Sequence, residues 1–219
     1  LTASPVLAQE AQDAAENKIA DGDIVVTANR TSSLLSKTPI AMSAVAGDDL
    51  IQSGITNPTQ LEETVPNLSI VRGNGLQITI RGVTSTDGTE KGDPSAAFMV
   101  NGIYIARPQA QEVSFFDIER IEVLRGPQGT LYGRNSTAGV VNIITAQPKF
   151  EFGARADVVY GNFDAINATA SINVPLSDTI AFRVAGNMDQ RDSYLIDGNA
   201  ADGIGIGKFK NNKAVRVSA

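Results

Sequence analysis

From Glu151 to the end of the chain, apolar and polar residues alternate over stretches that only long β-strands can use. Phe152, Ala154, Ala156, Val158 and Tyr160 fall on one side of the first stretch. Ile166, Ala168, Ala170, Ile172 and Val174 oppose Asn167, Thr169, Ser171 and Asn173 in the second. Ile180, Phe182, Val184 and Met188 oppose Arg183 and Asn187 in the third, and Lys213–Ala219 begins a fourth. A period of two is the strand period. The lengths match the ~9–11 residues of a tilted membrane-spanning strand. A soluble β-sandwich would show the same alternation, so the connections decide. Pro175-Leu176-Ser177-Asp178 reads as a tight turn and Asp189–Asn212 as a long, polar, glycine-rich loop. Short turns opposite long loops are the habit of membrane barrels. Single-chain barrels close with about eight strands or more, so the remaining strands are expected beyond Ala219.

No apolar run approaches the ~20 residues of a membrane helix, which leaves strands as the only way to span a bilayer. The 219 residues include no histidine and no cysteine. The commonest general base, the commonest metal ligand and all thiol chemistry are therefore missing. No pair of carboxylates is spaced for acid–base work, so neither an enzyme nor a resident cofactor or metal is expected. The net charge of −6 and the lack of a basic stripe argue against a nucleic-acid partner.

Ahead of the long strands the texture is different. Val6-Leu7-Ala8 before Gln9 has the small residues of a signal-peptidase site, so 1–8 reads as the remnant of a cleaved export signal. Gln9–Gly22 is polar and acidic with one large aliphatic residue, Ile19, and reads as a tether. Ile24-Val25-Val26-Thr27-Ala28 is a short β-prone island, either a free strand or the first edge strand of the next domain. From 31 to 148 short helices and strands mix. Asp48 or Asp49 is placed to cap a brief helix ending near Gly54. Asn57 at an N-cap, Pro58 at the first helical position and Gln60 in a capping box mark another, stopped by Pro66. Leu76–Arg81 alternates as a strand. Phe98–Ile105 is a hairpin turning at Asn101-Gly102. Ile118–Leu124 and Val140–Ile144 are two further strands. This segment reads as a small α+β domain with a mixed sheet.

The loop Gly126–Gly133 between those strands lacks the Gly-Lys-Ser/Thr ending of a phosphate loop and the spacing of a dinucleotide loop. Its glycines, with Gly139, read as turns and close packing against a surrounding wall. Four Asn-X-Ser/Thr triplets, at Asn29, Asn67, Asn135 and Asn167, read as chance.

The order of tether, β-prone island, small α+β domain and barrel strands resembles the TonB-dependent outer-membrane receptor family. Ile24–Ala28 looks like a TonB box. Ile78-Thr79-Ile80-Arg81-Gly82 is a second point of likeness. The third is the long run from Ile118 through Arg125-Gly126-Pro127 and Gly133, continuing over Gly139–Thr145. The resemblance implies an α+β plug domain followed by the first antiparallel strands of a truncated barrel of about 22 strands, a size that encloses a plug. The domains implied are a signal remnant at 1–8, a periplasmic tether with TonB box at 9–30, the plug at 31–148 and the barrel start at 149–219.

Function follows as expectation. The resemblance implies a receptor in the outer membrane of a Gram-negative bacterium. It would import a scarce ligand, above all an iron–siderophore complex, with energy transmitted by TonB and its inner-membrane complex. A plug-like module working alone in the periplasm is the competing class. Cobalamin, a sugar or a plant aromatic is the competing cargo. Ile24, Val25, Val26, Thr27 and Ala28 would add as a strand to TonB. Arg81 and Arg125, each before a glycine, would face barrel carboxylates and lock the plug. Thr84–Ser95 and Arg107–Phe116 would form external loops, with Arg107, Gln109, Gln111, Phe115 and Phe116 facing the ligand.

Overall fold

The computed structural model describes residues 24–28, 30–85, 92–112, 115–193 and 208–219. The expected export-signal remnant and tether, the middle of the loop at 84–95 and most of the loop after 193 lie outside the described residues. The chain divides into two compact units, the first ending at Pro39 and the second starting at Ile40.

In the first unit, β1 (Val25–Val26) pairs antiparallel with β2 (Ser33–Leu34). The Leu35 amide donates to the Ile24 carbonyl at 2.9 Å and closes the ribbon. A 3-10 turn over Leu35–Lys37 follows. The Thr38 hydroxyl holds its start by donating to the Leu34 carbonyl at 2.8 Å.

The second unit opens with β3 (Met42–Ala46), which runs straight into α1 (Gly47–Gln52). Asp48 and Asp49 sit in the first turn of α1 and do not cap it. There they complement the positive end of the helix dipole. The helix stops in a Schellman motif. The Ile55 amide reaches the Leu50 carbonyl, and Gly54 takes the left-handed residue at φ 68°. The second expected helix is a 3-10 helix over Pro58–Glu63. The Asn57 carboxamide oxygen accepts the Thr59 amide at 3.1 Å. Gln60 folds back to accept the Thr56 amide at 2.9 Å, one residue earlier than a standard capping box.

Two sheets complete this domain. β4 (Leu68–Gly73) and β5 (Gly75–Ile80) form a hairpin. β4 gives no clear alternation, because Val71-Arg72-Gly73 are all exposed at its far end. The other sheet has the order β3-β8-β9-β6-β7, with β6 (Ala96–Val100), β7 (Ile103–Tyr104), β8 (Ile118–Arg125) and β9 (Gly139–Thr145). β6 and β9 are parallel and the other pairs antiparallel, so the sheet is mixed. The turn at Asn101-Gly102 has φ 51° and 76°, the two positive values that a type I′ hairpin requires. A single helical turn, α2 (Gly129–Tyr132), lies in the glycine-rich loop. Leu50, Leu61, Ile70, Ile78, Phe98, Ile121, Val123 and Val141 are among the side chains of one apolar core. Burying each stabilises the domain by about 1.5–3 kcal/mol.

After Pro148 come four long antiparallel strands in sequence order: β10 (Gly153–Gly161), β11 (Ala165–Pro175), β12 (Ala181–Asp192) and β13 (Lys208–Ser218). The register stacks Val158, Ala168 and Met188 in one row, and Ala154, Ile172, Val184 and Val217 in another. This face carries the alternating apolar residues, and much of it is bare: Val158 is 71 % exposed and Val215 76 %. The opposite face carries Ser171, Asn173, Arg183, Asn187 and Arg216. The loop expected over Asp189–Asn212 is shorter than its composition suggested. Asp189 still pairs with Asn212, and Gln190 with Asn211. Cross-strand polar bonds, Gln190 to Asn211 at 3.1 Å and Lys210 to Asp189, carry the ladder past the last apolar residue. Among the described residues no helix is long and apolar enough to cross a membrane.

Candidate functional site

The mixed-sheet domain meets the polar face of the strand wall, and arginines of the wall dominate that junction. Arg183 on β12 grips Asp117 as a fork, with Nε 3.1 and 2.9 Å from the two carboxylate oxygens and Nη2 on the same carboxylate. Nη2 also donates to Ser171 Oγ of β11 at 3.2 Å. Arg216 on β13 donates from Nη1 to the carbonyls of Phe116 and Asp117, at 3.1 and 3.3 Å. Its guanidinium lies 4.5 Å from the Phe116 ring centroid, within cation–π range. On β10, Arg155 reaches Asp48 of α1 at 2.5 Å, in an exposed pair. Asn173 ties down the connecting segment, accepting the Lys149 amide at 2.9 Å and donating to the Lys149 carbonyl at 2.6 Å.

Asp117, Arg183, Arg216 and Ser171 were not among the site residues read from the sequence. The only trace there was a polar residue at every second position of the long strands. That alternation identifies the inward face and leaves open what it meets.

The residues singled out from the sequence separate into groups. Val26 and Ala28 are buried, and Val25–Val26 are paired on one side with β2. Arg81 stands exposed in a turn with φ 52°. Arg125, at the end of β8, is half-buried and donates to the carbonyls of Pro66 at 3.4 Å and Met42 at 3.2 Å. A Cβ on Gly126 would sit 3.7 Å from Arg81 Nη1, so the two arginines are close neighbours. Among the described residues neither forms an ion pair.

Arg107 and Gln109 are exposed, and Gln109 donates to the Asn74 carbonyl at 2.9 Å. Gln111, Phe115 and Phe116 do not face outward. Gln111 is buried and donates to the Ile105 carbonyl at 2.9 Å. Phe115 belongs to the apolar core and Phe116 lies under Arg216. A 3-10 turn at Pro108–Gln111 turns Gln111 inward, and the Phe115 amide donates to the Thr56 carbonyl at 2.9 Å, neither of which linear sequence reveals.

A cavity of about 380 Å³ lies between the 3-10 helix at Pro58–Glu63 and the far ends of the wall strands. Its lining mixes polar and apolar side chains and includes the ion pairs Arg72–Glu112, at 3.2 Å, and Lys210–Asp189. Among the described residues no group of His, Cys, Asp and Glu could hold a metal ion.

Comparison with known proteins agrees with this architecture. Residues 35–140 match the TonB-dependent receptor plug domain. The iron-regulated outer membrane virulence protein of Vibrio cholerae is 30% identical over 205 residues, covering 88% of this chain and 31% of that protein. The ferric enterobactin receptor of Pseudomonas aeruginosa is 30% identical, covering 91% of this chain and 29% of that protein. The crystal structure of the ferric yersiniabactin uptake receptor of Yersinia pestis shares the fold with a TM-score of 0.68 at 22% identity, over 83% of this chain and 29% of that one. The chain thus spans about a third of the length of these relatives. The mixed-sheet domain is a plug, the strand wall is the start of its barrel, and over the part it spans the chain belongs to the TonB-dependent receptor family.

Proposed function

We propose that the protein is an outer-membrane importer of ferric siderophore complexes, energised through TonB. One observation carries this reading. Alignment with an iron-regulated protein and a ferric receptor covers 88% and 91% of the chain, more than the plug alone could supply. The bare apolar face of β10–β13 suits lipid, and the polar face suits a lumen filled by the plug.

The parts divide the work. Residues 1–8 would be left from an export signal, 9–30 would carry the coupling segment, 31–148 the plug and 149–219 the barrel start. Ile24–Ala28 would pair with a strand of TonB. Val25–Val26 already hold β2 by a ribbon too short to be stable by itself, which a partner strand would replace with a longer ladder. Arg81 and Arg125 would meet carboxylates of later barrel strands. Their closeness lets two acidic groups engage both, and inside the lumen such pairs are screened less than on an open surface. Arg107 and Gln109, exposed on one turn, are the remaining ligand-facing candidates of the plug. Both can donate hydrogen bonds to the oxygens of a chelate.

The test is deletion of Ile24–Ala28 in the full-length receptor. Ferric siderophore binding to cells should be unchanged and energy-dependent uptake abolished. Normal uptake would overturn the coupling assignment. Uptake of cobalamin in place of a ferric chelate by the intact receptor would overturn the cargo.

A further inference from the structure

We propose that the turn Phe115–Asp117 is a fixed anchor of the plug on the barrel wall, the point that stays in place while other parts of the plug move. The inference rests on the transport reading above. Side chains of two wall strands converge on this one turn, Arg183 and Arg216, and Ser171 of a third strand holds the Arg183 guanidinium from behind. The Asp117 side chain is 5 % exposed and that of Arg183 17 %, so solvent and salt screen the pair poorly. The two-point geometry of a guanidinium on a carboxylate fixes direction as well as distance. Asp117 also holds a left-handed backbone, φ 51°, which its surroundings must stabilise. Its polarity is opposite to that proposed for Arg81 and Arg125: here the plug supplies the acid and the wall the bases.

The connectivity makes this an anchor. The Asp117 carbonyl accepts the Ala146 amide at 3.0 Å, where the chain leaves β9 for the wall. The turn is therefore joined to the wall by side chains and by a few residues of covalent chain. β8 starts at the next residue, Ile118, and is held on both sides by β3 and β9. β3 is the edge strand of the sheet and the first strand reached from Pro39. A pull applied upstream of β3 has one ladder to break before β3 leaves. To move β8 it must break a second ladder and the buried clamp. A second ion pair from plug to wall, Asp48–Arg155, is exposed at both ends, 69 % and 51 %, and holds far less. Release of β3 thus precedes any release of β8.

Two bridges in the full-length receptor test this order. The 219 residues include no cysteine, and any cysteine in the rest of the receptor is first replaced by serine. Asp117→Cys with Arg183→Cys, joined by a short bis-maleimide, replaces the clamp with a covalent link. Ser43→Cys with Val123→Cys, at facing positions of β3 and β8, staples the edge strand. The first bridge should leave uptake of labelled ferric siderophore at the wild-type rate. The second should lower it by at least about tenfold with ligand binding unchanged. A block by the first bridge, or normal uptake with the second, overturns the anchor. A third measurement is independent of cargo and coupling. Amide exchange over 118–125 should speed up about tenfold or more in Asp117→Asn, which keeps the shape and the left-handed backbone and removes the charge. Unchanged exchange in Asp117→Asn also overturns the anchor. An intact receptor that imports no ferric siderophore, with the exchange result as expected, would count against the transport reading alone.

Discussion

Gly139 shows how a single position can be closed to every other residue. A Cβ there would lie 2.1 Å from the Leu124 carbonyl oxygen, on a backbone with φ 152°. From the sequence its role was close packing against a surrounding wall. The contact it makes is with β8 of its own sheet. Gly129, in the same glycine-rich stretch, has ordinary φ, and a methyl group there would meet nothing within 4 Å. Gly139→Ala is expected to cost about 2 kcal/mol or more, because strain and overlap add. Gly129→Ala should be neutral or stabilising by up to about 1 kcal/mol, through the unfolded chain. Denaturant midpoints of the two variants check this; equal midpoints would mean that the tight approach at 139 relaxes without cost.

At the scale of elements, the β6–β7 hairpin is pinned from the side as well as turned. The Asn101 carboxamide accepts the Thr145 amide at 2.9 Å and donates to Thr145 Oγ1 at 3.0 Å. Gly102 donates its amide to Asn142 Oδ1 at 3.3 Å. One asparagine therefore sets the turn and ties it to β9, two strands apart in sequence order. Asn101→Gly keeps the turn and removes the bonds, for an expected loss of about 1–2 kcal/mol. Asn101→Ala also forfeits the positive φ and should lose about 1 kcal/mol more. Thermal unfolding of both variants separates the contributions; an identical loss in both would mean that the turn preference adds nothing. The turn was legible because Asn-Gly between apolar runs is a local signal. The tie to Asn142 and Thr145 was not, since it spans 40 positions or more.

For the whole molecule, the two faces of the β10–β13 wall carry the argument. Val158 lies mid-strand on the apolar face and is 71 % exposed. If that face meets lipid, Val158→Arg in the full-length receptor should cost about 2–4 kcal/mol near the bilayer midplane. The yield of heat-modifiable receptor in outer membranes should then fall sharply, with Val158→Leu as wild type. Equal yields would count against lipid on this face. The sequence alone determined that these strands exist, which face is apolar, and that a small mixed-sheet domain precedes them. Those properties follow from periodicity and turn chemistry, which act between residues near one another in the chain. The partnership of Asp117 with Arg183 and Arg216, the inward turn of Gln111, Phe115 and Phe116, and the nearness of Arg81 to Arg125 were decided only by tertiary structure. Each depends on which segments the fold brings into contact, and a charge or an aromatic ring carries no local mark of the partner it will meet.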